Sequence, residues 1–459
     1  MSEERSISQQ VVDYALGVKF SDFPASTVEK QSHSVNDLLA CMLAATSLDD
    51  TAAKVAEYAS RETGPCTILY NGAKTSPEMA ALANGVLSHA IDFDDSHDAI
   101  VHPNGIIFPA ALAIAQYLGD VTGEEFITAM VIGSDLSCRF AMALTCDLQQ
   151  FGWNSPSLVA GLGAVYGAAR LMRLDEGQMK DAVAMFMTQF TCSGESMSSK
   201  GSVIRTMRDG FAAQAVVQSV MMAKIGIHTR FDTPIEGKMG FYTMYAHGNC
   251  DLSRITNRLG EFFEIENITY KPWPSCKTTH TPIQALTDII RAEKLTADDI
   301  KEVHLKMHTA AAMALDPFEA KLAPQSVAMA KVSMPFVLGT IMKYGNVNLE
   351  SFTDERLADP AIKEQGKKIT YEYDPSWQKD KMHHVDMTVK TTKGDFFRHL
   401  ETSMGGTGYP LTDEQVKDKF FSCVKFYRML KDDAQIEKLY EASMNTASLK
   451  NVGELIGLL

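Results

Sequence analysis

"MAALANGVLSHAIDFDDSHDAIVHPNG", residues 79–105, begins as one kind of sequence and ends as another. Apolar and small residues recur at three and four through Ala81, Gly85 and Ser88, the spacing of a helix with one buried face. Directly after it come Asp92, Asp94, Asp95, His97, Asp98 and His102, with almost no spacer. Asp92 lies four residues after Ser88 and continues the inward face. His102 precedes Pro103-Asn104-Gly105, a stiff link into the next helix. A buried Asp near a His is an acid/base pair in the making, and perturbed pairs gather at functional sites. His102 therefore reads as the acid/base group and Asp92 as the carboxylate that orients it. Asp94, Asp95 and Asp98 read as a solvated turn. Asp and His also suit a metal, although no H-E-x-x-H or EF-hand spacing accompanies them.

The helical texture extends outward from this stretch. "VNDLLACMLAA" (35–45), "PAALAIAQYLG" (109–119), "EEFITAMVIGSDLSCRFAMAL" (124–144), "MKDAVAMFMTQF" (179–190) and "FAAQAVVQSVMMAKIG" (211–226) repeat the same period. From about residue 262 the texture changes. "IKEVHLKMH" and "KKITYEY" alternate as strands do, and "HVDMTVKTTKGDFFRHL" reads as two strands joined by a tight turn at Lys393-Gly394. Helical runs lie between them, "THTPIQALTDIIRAEK" and "QSVAMAKVSMPFVLGTIMKYG". After "GGTGYP" the chain turns helical again, with Thr412 and Gln415 forming a capping box. The fold class is mainly α: a large all-helical domain from residues 1–262 and 405–459, with a smaller α+β domain, 263–404, inserted before the C-terminal helices.

The 459 residues carry a net charge of -14, with 45% hydrophobic and 22% charged residues. Such a balance suits a globular protein and argues against nucleic acid or an anionic membrane as partner. No apolar run reaches the roughly 18 residues of a membrane span. The N-terminus "MSEERSISQQ" is neither signal peptide nor transit peptide, and the eight cysteines form no C-x-x-C pair, so a cytoplasmic location is expected. "GLGAVYGAARLM", from Gly161, departs from a dinucleotide fingerprint at Tyr166. It reads as a small-residue face for close helix packing.

In so acidic a chain, clustered cations stand out. "SSKGSVIRTMRDGFAA" places Lys200, Arg205 and Arg208 before a helix, and "NITYKPWPSCKTTH" places Lys271, Lys277 and His280 in a Pro-stiffened loop. Cations beside Gly/Ser-rich backbone at a helix start make an anion site, and a carboxylate is the fitting ligand.

"GVLSHAIDFDDSHDAIVHPNGIIFPAALA", "FGWNSPSLVAGLGAVYGAARLMRLD", "RDGFAAQAV", "DTPIEGKMGF", "YKPWPSCKTTHTPIQA" and "YPLTDEQVKDKF" resemble, in order, the signatures of the MmgE/PrpD family. That family includes 2-methylcitrate dehydratase, cis-aconitate decarboxylase and iminodisuccinate epimerase. The resemblance implies a helical domain rejoined by the C-terminal helices, a homodimer, a site in the cleft between domains, and no metal or organic cofactor. The family's Asp, Thr and His fall on Asp92, Ser96 and His102, and its Lys falls on Lys271. Three positions depart from the decarboxylase branch: Asn154 stands for a His, Arg205 for a Lys and Phe336 for a Tyr. The implied chemistry is proton transfer next to a carboxylate of a small di- or tricarboxylate. His102 and Lys271 move protons or hold charge, and Ser96, Asn154, Arg205, Lys200, Lys277 and His280 bind substrate. A 2-methylcitrate dehydratase-like hydro-lyase is the first expectation. Epimerisation, decarboxylation and an inactive carboxylate-binding scaffold are the alternatives.

Overall fold

Pro77 at the first turn of a helix, after Ser76 whose hydroxyl accepts from the Met79 N–H, starts the 79–105 stretch with a defined cap. The computed structural model describes residues 5–459 except 200, 201 and 431. Two compact units emerge. One comprises Met1–Ala90, Asp94–Ile268 and Val416–Leu459, the other Ile91–Phe93 and Thr269–Gln415.

The first unit is a helical assembly. Its first ten helices in chain order are α1 (Ile7–Gly17), α2 (Ala25–Leu48), α3 (Asp50–Ala59), α4 (Pro77–His89), α5 (Asn104–Leu118), α6 (Gly123–Met142), α7 (Ser155–Leu171), α8 (Glu176–Gln189), the single turn α9 (Glu195–Ser198) and α10 (Ile204–Lys224). Capping boxes open α6 (Thr122 with Glu125) and α8 (Asp175 with Gln178). In α2 every residue from Val35 to Ala45 is buried, and in α5 every residue from Asn104 to Ala115. Helices apolar on all sides belong in the centre of a unit, and these two are central here. The unit also contains one short antiparallel pair, β1 (Cys66–Thr67) and β2 (Lys74–Thr75), which no alternation in the sequence announces.

Glycines set how closely the helices cross. A Cβ on Gly163 of α7 would meet Ser137 Oγ at 2.3 Å, and one on Gly167 would meet the Ala129 carbonyl at 2.3 Å. The run from Gly161 is thus a packing face, as its spacing suggests. The same device joins α4 to α10, where a Cβ on Gly85 would stand 2.7 Å from the Gly210 Cα. That contact places the start of α10 against the end of α4, where the functional side chains lie.

The second unit holds a four-stranded sheet in the order β4-β3-β5-β6. β3 (Ile300–Met307) runs parallel to β4 (Ile369–Tyr373) and antiparallel to β5 (Val385–Thr391), which pairs with β6 (Gly394–Leu400). Thr391 pairs with Gly394, so the two-residue loop is Thr392-Lys393, one position earlier than the sequence suggests. Val303, Leu305, Met307, Val385, Met387 and Val389 share a core with the helices His280–Glu293 and Met334–Tyr344. Burying each such side chain contributes roughly 1.5–3 kcal/mol.

The Thr412–Gln415 capping box is present: the Thr412 N–H donates to Gln415 Oε1, and the Gln415 N–H to Thr412 Oγ1. The C-terminal helices belong to the helical unit. Lys419 Nζ reaches Asp37 Oδ1 of α2 at 2.6 Å, and Asn36 Nδ2 donates to Ser443 Oγ at 2.7 Å. Among the described residues no helix is long and apolar enough to cross a membrane.

Candidate active site

After α4 the chain makes two unusual turns. Asp92 has φ +53° and Ile100 φ +62°. Left-handed backbone at a β-branched residue is strained, and such strain gathers at functional sites. The His97 N–H donates to the Val101 carbonyl and the Ile100 N–H to the His97 carbonyl, which closes a tight loop and returns the chain to His102.

His102 Nδ1 lies 2.7 Å from the Asp95 carbonyl oxygen and 3.2 Å from Asp94 Oδ2. Both are acceptors, so Nδ1 carries the hydrogen and Nε2 is the basic atom of the neutral ring. Asp94 Oδ1 accepts from His89 Nδ1 at 2.8 Å. The two imidazoles stand with centroids 4.5 Å apart, flanking one carboxylate. His102 is 19% exposed at its side chain, against 1% for His89 and 0% for Asp94, so within this trio the accessible base is His102.

Two expectations change here. The carboxylate oxygen beside His102 Nδ1 is Asp94 Oδ2, while Asp92 Oδ1 meets Lys271 Nζ. Asp94 and Asp95 are also fully buried and form no solvated turn; only Asp98 is exposed. Asp95 Oδ2 accepts from Asn104 Nδ2 at 2.5 Å, Asn104 Oδ1 accepts from Gln31, and Gln31 Oε1 accepts from Ser134. Burial pushes the Asp95 carboxyl up to about 8. The Asn104 hydrogen bond opposes the rise, and the neighbouring Asp94 and Asp37 charges add to it. Burial, against the attraction of Asp94, holds His89 down to about 4, with Arg208 adding to the depression.

Arg208 is the cation that α10 brings to this group. It is 4% exposed, and its guanidinium donates to Asn154 Oδ1 at 3.1 Å. Asn154 Nδ2 in turn donates to Ser196 Oγ at 3.3 Å. Asp209 Oδ1 accepts from Ser157 Oγ at 2.5 Å. Arg205, the cation expected to bind substrate, is partly exposed one turn before Arg208, and Lys200 lies outside the described residues. Ser96 is buried. His89 and Asp209, which reading the sequence leaves out, lie in this group beside Arg208. The pair Gly85 and Gly210 is the signal that joins their helices.

In the α+β unit, Lys271 Nζ lies 2.5 Å from Asp92 Oδ1 and 3.2 Å from the Asp92 carbonyl, with Lys271 only 2% exposed. His280, buried at the start of its helix, donates Nε2–H to the Ser275 carbonyl at 3.0 Å. Burial, followed by the Lys271 charge, lowers its imidazole to about 3, so it is neutral and its Nδ1 is an acceptor. Lys277 donates to Thr269 Oγ1 at 3.0 Å. Phe336 is 3% exposed and tilts against Phe352 in the apolar core.

Among the described residues, two groups of side chains have ligand atoms close enough for a metal: His89, Asp94 and His102, and, at the sheet, His384, His399 and Glu401. In the first, His89 Nδ1 bonds to Asp94 Oδ1, and His102 Nδ1, bonded to the Asp95 carbonyl, lies 3.2 Å from Asp94 Oδ2. Such an arrangement suits a proton carrier with an orienting carboxylate.

Residues 9–252 match the MmgE/PrpD N-terminal domain and residues 273–446 the MmgE/PrpD C-terminal domain. A cis-aconitate decarboxylase-like protein of Aspergillus oryzae is 22% identical, over 99% of this chain and 98% of its own. The cis-aconitate decarboxylase of Aspergillus terreus is 21% identical, over 99% and 96%, and that of Homo sapiens 23%, over 83% and 79%. With both family domains matched in order across most of its length, the chain belongs to the MmgE/PrpD family.

Proposed function

We propose that the protein is a lyase acting on a small di- or tricarboxylate, with His102 as the proton carrier. The observation that carries this reading is the His102 geometry: a partly exposed imidazole whose Nδ1–H is held by the Asp95 carbonyl and Asp94, leaving Nε2 basic. Nε2 takes the proton from the carbon next to a substrate carboxylate, and negative charge moves onto that carboxylate. Arg208, buried and held by Asn154, supplies positive charge in surroundings of low polarity, where it counts most. The imidazolium then returns that proton to the hydroxyl on the neighbouring carbon, the C–O bond breaks, and water leaves to complete the dehydration.

A hydro-lyase of the 2-methylcitrate dehydratase kind is the finer proposal. Asn154 offers an amide held by Arg208 where the decarboxylase pattern has an imidazole, and Phe336 offers no hydroxyl. Decarboxylation is the second reading, favoured by the names of the relatives that span the whole chain.

Incubating the full chain in deuterated water with 2-methylcitrate, citrate and cis-aconitate, followed by proton NMR, tests both. Formation of the unsaturated acid from a hydroxy acid supports the hydro-lyase. Loss of carbon dioxide from cis-aconitate supports the second reading. Absence of turnover and of deuterium exchange with every acid would overturn the enzymatic proposal.

A further inference from the structure

The solvent face of the β5–β6 hairpin carries a second set of histidines and carboxylates that the proposed reaction does not use. The sequence writes it twice: His384-Val385-Asp386 enters β5, and His399-Leu400-Glu401 leaves β6. The register pairs Asp386 with His399 and Val385 with Leu400, and one further step sets His384 opposite Glu401. Residues two apart on a strand share a face, so all four project from the side opposite the Val385–Met387–Val389 core.

Their spacing is compatible with a metal ion. His399 Nδ1 donates to Asp386 Oδ1 at 2.6 Å, which fixes the tautomer and leaves Nε2 as the donor atom for an ion. That Nε2 lies 3.8 Å from Glu401 Oε1, and the His384 ring stands 5.8 Å from the His399 ring, centroid to centroid. The ligand atoms of His384, His399 and Glu401 all lie within 4.8 Å of one another. Tetrahedral ligands about 2.0–2.1 Å from zinc are roughly 3.3 Å apart, so small rotations of exposed side chains would close the set. A carboxylate behind a ligating imidazole is the usual supporting contact in such sites. Of the nearby cations, Lys306, opposite Asp386 on β3, is engaged by Asp374 at 2.8 Å, and Lys381 acts on His384 by its charge.

We propose that His384, His399 and Glu401 bind a divalent transition metal of the zinc class, with Asp386 as the positioning residue for His399. Two imidazoles and one carboxylate leave the fourth position to water or to a ligand from outside, and the ion ties the edge strand β6 to β5. The ions expected are those that take nitrogen and oxygen together, Zn²⁺, Co²⁺ and Ni²⁺, ahead of Mg²⁺ or Ca²⁺.

The test is calorimetric titration of the full chain, stripped with chelator, using Zn²⁺ alone, with Co²⁺ absorbance as a reporter of coordination. The expected result is one ion per chain with Kd of about 10 µM or tighter, and intense visible Co²⁺ bands of four-coordinate geometry. His384→Ala/His399→Ala should weaken binding at least about tenfold, and Asp386→Asn by about tenfold. Because these side chains face solvent, the variants should unfold at the same temperature as the metal-free parent, and turnover should not change. No binding by the parent at about 100 µM Zn²⁺, or unchanged affinity in the double variant, would overturn the proposal.

Discussion

Lys271 Nζ and Asp92 Oδ1, 179 positions apart in the chain, meet at 2.5 Å with both side chains buried. Removing one partner of such a pair leaves a buried charge uncompensated, which costs about 3–5 kcal/mol, whereas replacing both by apolar groups is often neutral. Lys271→Met should therefore lower the unfolding free energy strongly, and Lys271→Met/Asp92→Leu should recover much of it without recovering turnover. Chemical denaturation and a substrate assay on the same three variants separate the two effects. Activity retained in the double variant would exclude the pair from the reaction.

His102→Ala should reduce turnover about 10²–10⁴-fold, the range set by a positioned acid/base group, with the unfolding midpoint nearly unchanged. Asp94→Asn replaces one acceptor for two imidazoles with an amide that can present N–H to either. It should reduce kcat about tenfold or more, with a shifted pH profile and little change in KM. Equal loss through KM alone would assign Asp94 to substrate binding.

Asp95 and His89 pull the pH dependence of stability in opposite directions. Asp95, raised to about 8, contributes stability that is fully present below the ordinary carboxyl value and is lost as pH climbs toward 8. His89, lowered to about 4, contributes stability present above about 6.5 and lost as pH falls toward 4. Urea unfolding of the parent and of Asp95→Asn at pH 5, 6.5 and 8 should show the parent losing ground to the variant as pH rises. Parallel curves would contradict the raised carboxyl.

Gly210→Ala places a methyl 2.6 Å from the Leu82 carbonyl and 2.7 Å from Val86 Cγ2. Since backbone cannot yield cheaply, about 1–3 kcal/mol of destabilisation is expected, with a loss of turnover as Arg208 and Asp209 shift from α4. Thermal unfolding and kinetics measure both. An unaffected enzyme would show that the α4–α10 crossing tolerates separation.

We propose a homodimer. Ile225 is 77% exposed, Met239 82%, and Ile227, Phe231 and Met244 about two-fifths, all within twenty residues of chain. Sedimentation at micromolar concentration should report a dimer, and Met239→Glu should weaken it. A monomeric parent would contradict the expectation.

The helical class of residues 79–226 is legible in the sequence because helix periodicity and caps are local: Ser76-Pro77, Thr122 with Glu125 and Asp175 with Gln178 each act within one turn. The strands of the α+β unit are legible for the same reason, since alternation is a property of neighbours. His102 stands out by its company alone, and so do Lys271 and His280. What those residues touch is not local. Asp94 and Asp95 look like a solvated turn until α5 and α2 supply Asn104 and Gln31 to bury them. The partner of Asp92 is Lys271, far along the chain, while Asp94, two residues on, takes the imidazoles. The Arg208 charge reaches His89 because two glycines let α4 and α10 touch. Secondary structure follows from interactions within a few residues. Which of several adjacent carboxylates is charged, protonated or paired depends on burial and on distant partners, and only the tertiary structure decides that.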